Sequence, residues 1–235
     1  MFLFLALVFA VGFVGFGVGA GGIGLGNVIE GGADSGVPSV GDAEKRVSEN
    51  PRDPAAFRAL ATAHEAEGNT DGAIEALEQL VALRPKNANA LLDLGRLYLQ
   101  KVEEAQIRAQ AADIRATYIV PGASIAATTL GGKPLEADRI SSVVSSQLNE
   151  SVSAALTEAQ TAASQAVDAY KRRADSAPRN ALFQLELAQI AESVGDTTNA
   201  IAGYEKFVAL DKQNPQVPEV RRKLRELRAQ VAPTG

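Results

Sequence analysis

The spacing of apolar and polar positions divides the chain into stretches of different rhythm. Residues 2–29 carry no charged side chain and nothing strongly polar before Asn27. About 20 apolar residues cross a bilayer as a helix, so this stretch predicts one transmembrane span. Phe2, Phe4, Phe9, Phe13 and Phe16 weight its first half, and glycines its second. Lipid leaves backbone groups no partner but each other, so helix is expected there despite the glycines. Residues 30–41 mix Gly, Ser, Pro and acid without a period and read as a flexible tether. Residues 42–49 read as a short helix before Asn50-Pro51. From Pro54 onward the period is helical.

A cleaved signal peptide is the alternative for the first stretch, because Val18-Gly19-Ala20 is a small-residue site of the right kind. No Lys or Arg precedes Lys45, however, so the usual basic flank is missing. The expectation is a single-pass anchor with the remainder of the chain outside the cytoplasm. Gly15/Gly19, Gly17/Gly21 and Gly22/Gly26 are each four apart, the spacing of helix-pairing contacts in membranes, although a Gly-rich exit from the bilayer explains them as well. Gly17, Gly19 and Gly22 also fit G-x-G-x-x-G, but no strand precedes them and Ile23-Gly24-Leu25-Gly26 is a poor helix start.

The helical part repeats itself. Asp53-Pro54-Ala55-Ala56-Phe57 leads to Leu60-Ala61, then Gly68-Asn69-Thr70-Asp71, then Ala73, Leu77 and Pro85. Asn180-Ala181-Leu182 leads to Leu187-Ala188, then Gly195-Asp196-Thr197, then Ala200 and Tyr204. Between them, Asn87-Ala88-Asn89-Ala90-Leu91 leads to Leu94-Gly95 and Tyr98, and from Ala55 to Asn89 the register advances 34 residues. That period marks stacked helical hairpins. In each complete pair the second helix is expected to start after Thr70 or Thr197, as an N-cap.

These residues resemble the tetratricopeptide repeat family, whose pattern runs W-x-x-L-G-x-x-Y, then A-x-x-x-F, then P. Phe57 stands for the Trp, Leu60-Ala61 for Leu-Gly and His64 for the Tyr. The third repeat departs from the pattern, with Gln184 at the Trp place and Lys212 at the Pro place. The resemblance implies an all-α, TPR-like helical-hairpin solenoid over 51–215, with Ala61, Gly95 and Ala188 where paired helices pass closely. It implies protein or peptide binding in a groove lined by first helices. In this sequence that groove takes Arg58, Thr62, Asn89, Leu92, Arg96, Leu185 and Gln189. Some family members clamp a C-terminal carboxylate with Lys and Asn. Leu92 and Leu185 occupy two of those places, which argues against a clamp here, while Arg58 and Arg96 could meet an acidic segment.

The second repeat is interrupted after Tyr98, and its pattern resumes at Ala166, Tyr170 and Pro178. The interruption at 101–164 is itself patterned. Leu91, Gly95, Tyr98, Val102, Ala105, Ala109, Ala112 and Ala116 step by four and three, and so do Leu148, Val152, Ala155, Ala159, Ala162, Ala166 and Ala169. Heptad seams on both sides predict an extended antiparallel helical arm, a coiled coil. Its tip, 118–134, has no charge before Lys133, and its Gly and Pro residues predict a helix break. Tyr118, Ile119, Val120, Ile125 and Leu130 there are a candidate contact for a partner or the membrane surface, or a plug folded onto the arm, or a disordered tip. Residues 216–235 supply a capping helix and tail, with Val220, Leu224, Leu227 and Val231 on one face.

Composition narrows the chemistry. The chain has no Cys and a single His, His64, so disulfides, thiolate nucleophiles and thiolate metal sites are excluded. A net charge of −5 offers no basic surface for nucleic acid. No zinc-protease, Walker or nucleophile-elbow motif is present, and His64 falls at a packing position. No cofactor and no metal are expected, and the chain is not read as an enzyme. The function expected is that of a membrane-anchored scaffold for protein–protein interaction. The alternative is a self-associating spacer, with arms pairing between copies as a homo-oligomer, or a chaperone-like accessory to export.

Overall fold

The turns that link paired helices are written in the sequence residue by residue. The computed structural model describes residues 37–125 and 139–231, with side chains described for 37–115 and 143–231. The anchor at 1–29, the tether as far as residue 36, and Leu130 lie outside the described residues. The described residues form α1 (Val40–Glu49), α2 (Pro54–Ala66), α3 (Thr70–Leu83), α4 (Ala88–Ile125), α5 (Arg139–Ser176), α6 (Ala181–Ser193), α7 (Thr197–Leu210) and α8 (Val217–Val231). None of these helices is long and apolar enough to cross a membrane. The described residues are all-α and form TPR-like helical hairpins.

The chain leaves α2 through Gly68, with φ +72°, and α6 through Gly195, with φ +82°. Left-handed backbone costs glycine nothing and lets the last carbonyls find donors. The amides of Gly68 and Asn69 bond to Glu65 O and His64 O, at 3.0 and 2.8 Å. Those of Gly195 and Asp196 bond to Glu192 O and Ala191 O, at 3.1 and 2.8 Å. The residue after each glycine then caps the next helix. Asn69 Oδ1 accepts from Gly72 N at 2.9 Å, and Asp196 Oδ1 from Asn199 N at 3.0 Å. The cap is therefore one residue earlier than expected, with Thr70 and Thr197 inside the helix, because Asn and Asp reach the third amide and free the threonine for the first turn.

The described residues fall into two compact units, one from 37–91 with 170–231 and the other from 92–125 with 139–169. In the first, α1 packs on α2, α2 pairs with α3, α6 pairs with α7, and α8 lies on α7. Its core draws on Leu77, Leu80, Val81, Leu187, Ala188, Tyr204 and Phe207, all buried. Helix α8 closes the last repeat with Val217, Val220, Leu224 and Leu227 buried, but Val231 is 61% exposed, since its turn lies beyond the surface that α8 covers. Glu192 binds α8 from below: it accepts from Lys223 Nζ at 2.8 Å and from the Tyr204 hydroxyl. Arg228 meets Glu205 at 2.6 Å further along.

The second unit is the arm. Helices α4 and α5 are 38 residues each, and that length is about 57 Å of helix. Ala105, Ala109, Ala112, Ala155, Ala159 and Ala162 are buried, so the two seams meet each other. Glu158 on α5 holds Arg108 at 2.8 Å and Lys101 at 3.6 Å across the pair. Those cations hold the Glu158 carboxyl below the usual carboxylate range, led by the hydrogen bond from Arg108 and opposed by desolvation. The helix break expected within 118–134 does not fall before Ile125: α4 continues through Tyr118, Ile119 and Val120, past Pro121 and Gly122, and the rest of the tip lies outside the described residues.

Candidate partner-binding surface

In each repeat the first helix carries two candidate positions four residues apart, which places them on one face. The earlier position of each pair, Arg58, Leu92 or Leu185, is the more covered. Arg58 and Leu92 are half-buried, and Leu185 is only 6% exposed. Leu185 therefore departs from the expected groove: a leucine gains most by leaving water, and this one has joined the core. The later position, Thr62, Arg96 or Gln189, is exposed in all three repeats, as is Asn89. Thr62 Oγ1 donates to Arg58 O at 3.0 Å, bonding back into its own helix. Arg58, Thr62, Asn89, Leu185 and Gln189 belong to the first unit, and Leu92 and Arg96 to the arm unit.

His64 is a packing residue. The amide nitrogen of Asn69 donates to its Nδ1 at 3.2 Å. A methyl on Gly72 would stand 2.7 Å from that Nδ1, so the His64 and Asn69 side chains would have to shift to admit one. Among the described residues, no group of three His, Asp or Glu is placed to hold a metal ion.

Two polar side chains are buried beside the third repeat, Arg173 on α5 and Gln184 on α6. Arg173 is only 7% exposed, stacks 3.7 Å over the Phe183 ring and forms an ion pair with Glu186. Its signal was available: Ala162, Ala166, Ala169 and Arg173 continue the four-three seam, which puts a guanidinium on the packed face. Gln184, at the place of the family's Trp, is 1% exposed, and its Oε1 has no hydrogen-bond partner among the described residues. Burial, helped by Glu192, raises the Tyr204 phenol above its ordinary range, so it stays protonated and donates.

Two family models described as Tetratricopeptide repeat match this chain, at residues 64–106 and 156–215. Those two stretches are thus similar to tetratricopeptide repeats, a class of helical hairpin that in general serves protein–protein interaction. Among solved structures, it is similar to TTC0263, a thermophilic TPR protein of Thermus thermophilus, at 20% identity, covering 82% of this chain and 73% of that one, with a TM-score of 0.39. It is similar to MamA at 15% identity, covering 81% of each chain, with a TM-score of 0.39. It is similar to the P58(IPK) TPR domain at 12% identity, covering 82% of this chain and 60% of that one, with a TM-score of 0.27. No curated protein matches the sequence significantly.

Proposed function

We propose that this protein is a non-enzymatic scaffold, held at a membrane by its N-terminal segment, that binds protein or peptide partners along the first helices of its repeats. The observation that carries the reading is the recurrence of an exposed polar residue at one register position, Thr62, Arg96 and Gln189, on capped helices. Side chains fixed on helices lose less freedom on binding than loop residues do. Arg58 and Arg96 favour an acidic segment, since guanidinium–carboxylate pairs are charge-assisted and bidentate.

A photocrosslinking residue placed singly at 62, 96 or 189 in the full chain, expressed in membranes, tests this. The expected result is an adduct from each of these positions and none from positions 206 or 222, which are exposed on α7 and α8. Equal labelling from both sets would overturn the groove. The anchor rests on the uncharged run 2–29. It predicts that the protein stays in the pellet after an alkaline carbonate wash, and release with a new N-terminus near Gly21 would replace it with a cleaved signal peptide.

A further inference from the structure

Helix α4 carries a second heptad face that its hairpin partner leaves uncovered. The inner seam runs through Ala105, Ala109 and Ala112, each at most 7% exposed. Two positions on, about 200° round the helix, Ile107, Ala111 and Ile114 repeat the same four-three step. Ile107 is 58% exposed and Ile114 56%. The alanine seam expected to join arms between copies is already filled within one chain. The isoleucine face is not: Ile107, Ala111 and Ile114 make one heptad of a seam, with Glu104 at the next position towards the N-terminus.

Its flanks decide what it fits. One edge carries Lys101, Arg108 and Arg115, seven apart, and the other Glu103 and Gln110. Against a second copy in antiparallel orientation, like edges meet, and the basic edge faces itself. In parallel orientation each edge meets the opposite one: Glu103 of one copy comes beside Arg108 of the other, five positions on, twice by symmetry. Glu103 forms no ion pair among the described residues, and Arg108 is 56% exposed. A guanidinium has donors for both Glu158 and an incoming carboxylate.

We infer that two copies of this chain pair in parallel through Ile107, Ala111 and Ile114 of α4, with Glu103 and Arg108 joined between copies. This deepens the scaffold reading by naming a self-association surface, but it does not depend on the groove: the arms pair whether or not 62, 96 and 189 capture a partner.

The absence of Cys makes the test clean. Ile107→Cys, Ile114→Cys and Leu156→Cys are each made in the full chain and oxidised in membranes. Leu156, 48% exposed on the other arm helix, is the control. Ile107→Cys and Ile114→Cys should each give a covalent dimer alone, and Leu156→Cys should not. Adding Glu103→Lys should cut the Ile114→Cys dimer yield severalfold. No covalent dimer, equal yields at all three positions, cross-linking only when the Ile107→Cys and Ile114→Cys chains are mixed, or a yield indifferent to Glu103→Lys would each overturn the inference.

Discussion

Adding one methyl group at Gly203 sets two opposing effects against each other. Gly203 sits mid-way along α7, where replacing glycine by alanine favours helix by about 0.5–1 kcal/mol. The new methyl would stand 2.9 Å from Ala188 Cβ, 2.9 Å from Gln184 O and 3.1 Å from Ala188 N. Carbon contacts settle near about 3.5–4.0 Å, so α6 and α7 must part by more than half an ångström. The obstacles are backbone and a Cβ, which cannot swing aside. Overpacking of this kind costs about 1–3 kcal/mol, so the net expectation for Gly203→Ala is a loss of about 1–2 kcal/mol. For a chain of this size that lowers the thermal midpoint by roughly 3–6 °C. Gly41, on α1, has nothing within 4 Å of the same methyl. Gly41→Ala should therefore leave the midpoint unchanged or raise it slightly. Circular dichroism at 222 nm through thermal unfolding of both variants reads the two signs. A midpoint that rises for Gly203→Ala would show that α6 and α7 separate at no cost and that the close approach in the third repeat does not constrain the fold.

Gln184→Met removes a buried oxygen that lacks a hydrogen-bond partner and keeps the side chain's length, so urea unfolding should show a gain of about 1 kcal/mol; a loss would mean that the amide is satisfied. Glu158 has its pKa lowered in the fold, so its contribution is full above the unfolded carboxylate pKa and is lost as pH falls through the lowered value. It is about one-third exposed, so the effect is small. Acid titration of arm helicity should be flatter in Glu158→Gln, and identical curves would refute the pairing. Hydrogen exchange should be faster in 105–115 and 150–160 than in 73–81 and 185–191, because alanine seams bury little area and local stability follows burial; uniform protection would contradict this.

The repeated hairpins were legible because each depends on nearest neighbours in sequence. A glycine that turns left-handed, an Asn or Asp that caps, and a 3.6-residue stripe act over five residues or fewer, so Gly68-Asn69 and Gly195-Asp196 announce their turns without tertiary help. The arm was legible as two four-three seams of alanine, which the fold buries against each other. What the sequence could not decide is which of several compatible partners each side chain takes. Leu185 reads as a groove residue by register, yet burial is a sum over all the elements around it, and those withdrew it into the core. Gly203 looks like any helical glycine until α6 is laid against α7. Ala76 holds the matching place in the first repeat and accommodates its own Cβ, so the closer approach is specific to the third repeat. Lys223, Glu192 and Tyr204 stand on three helices, and nothing local marks them as a cluster. The isoleucines at 107 and 114 were in plain sight as a period, but a period does not say whether a face is covered. Only the placement of α5 on the opposite side of α4 leaves that face bare.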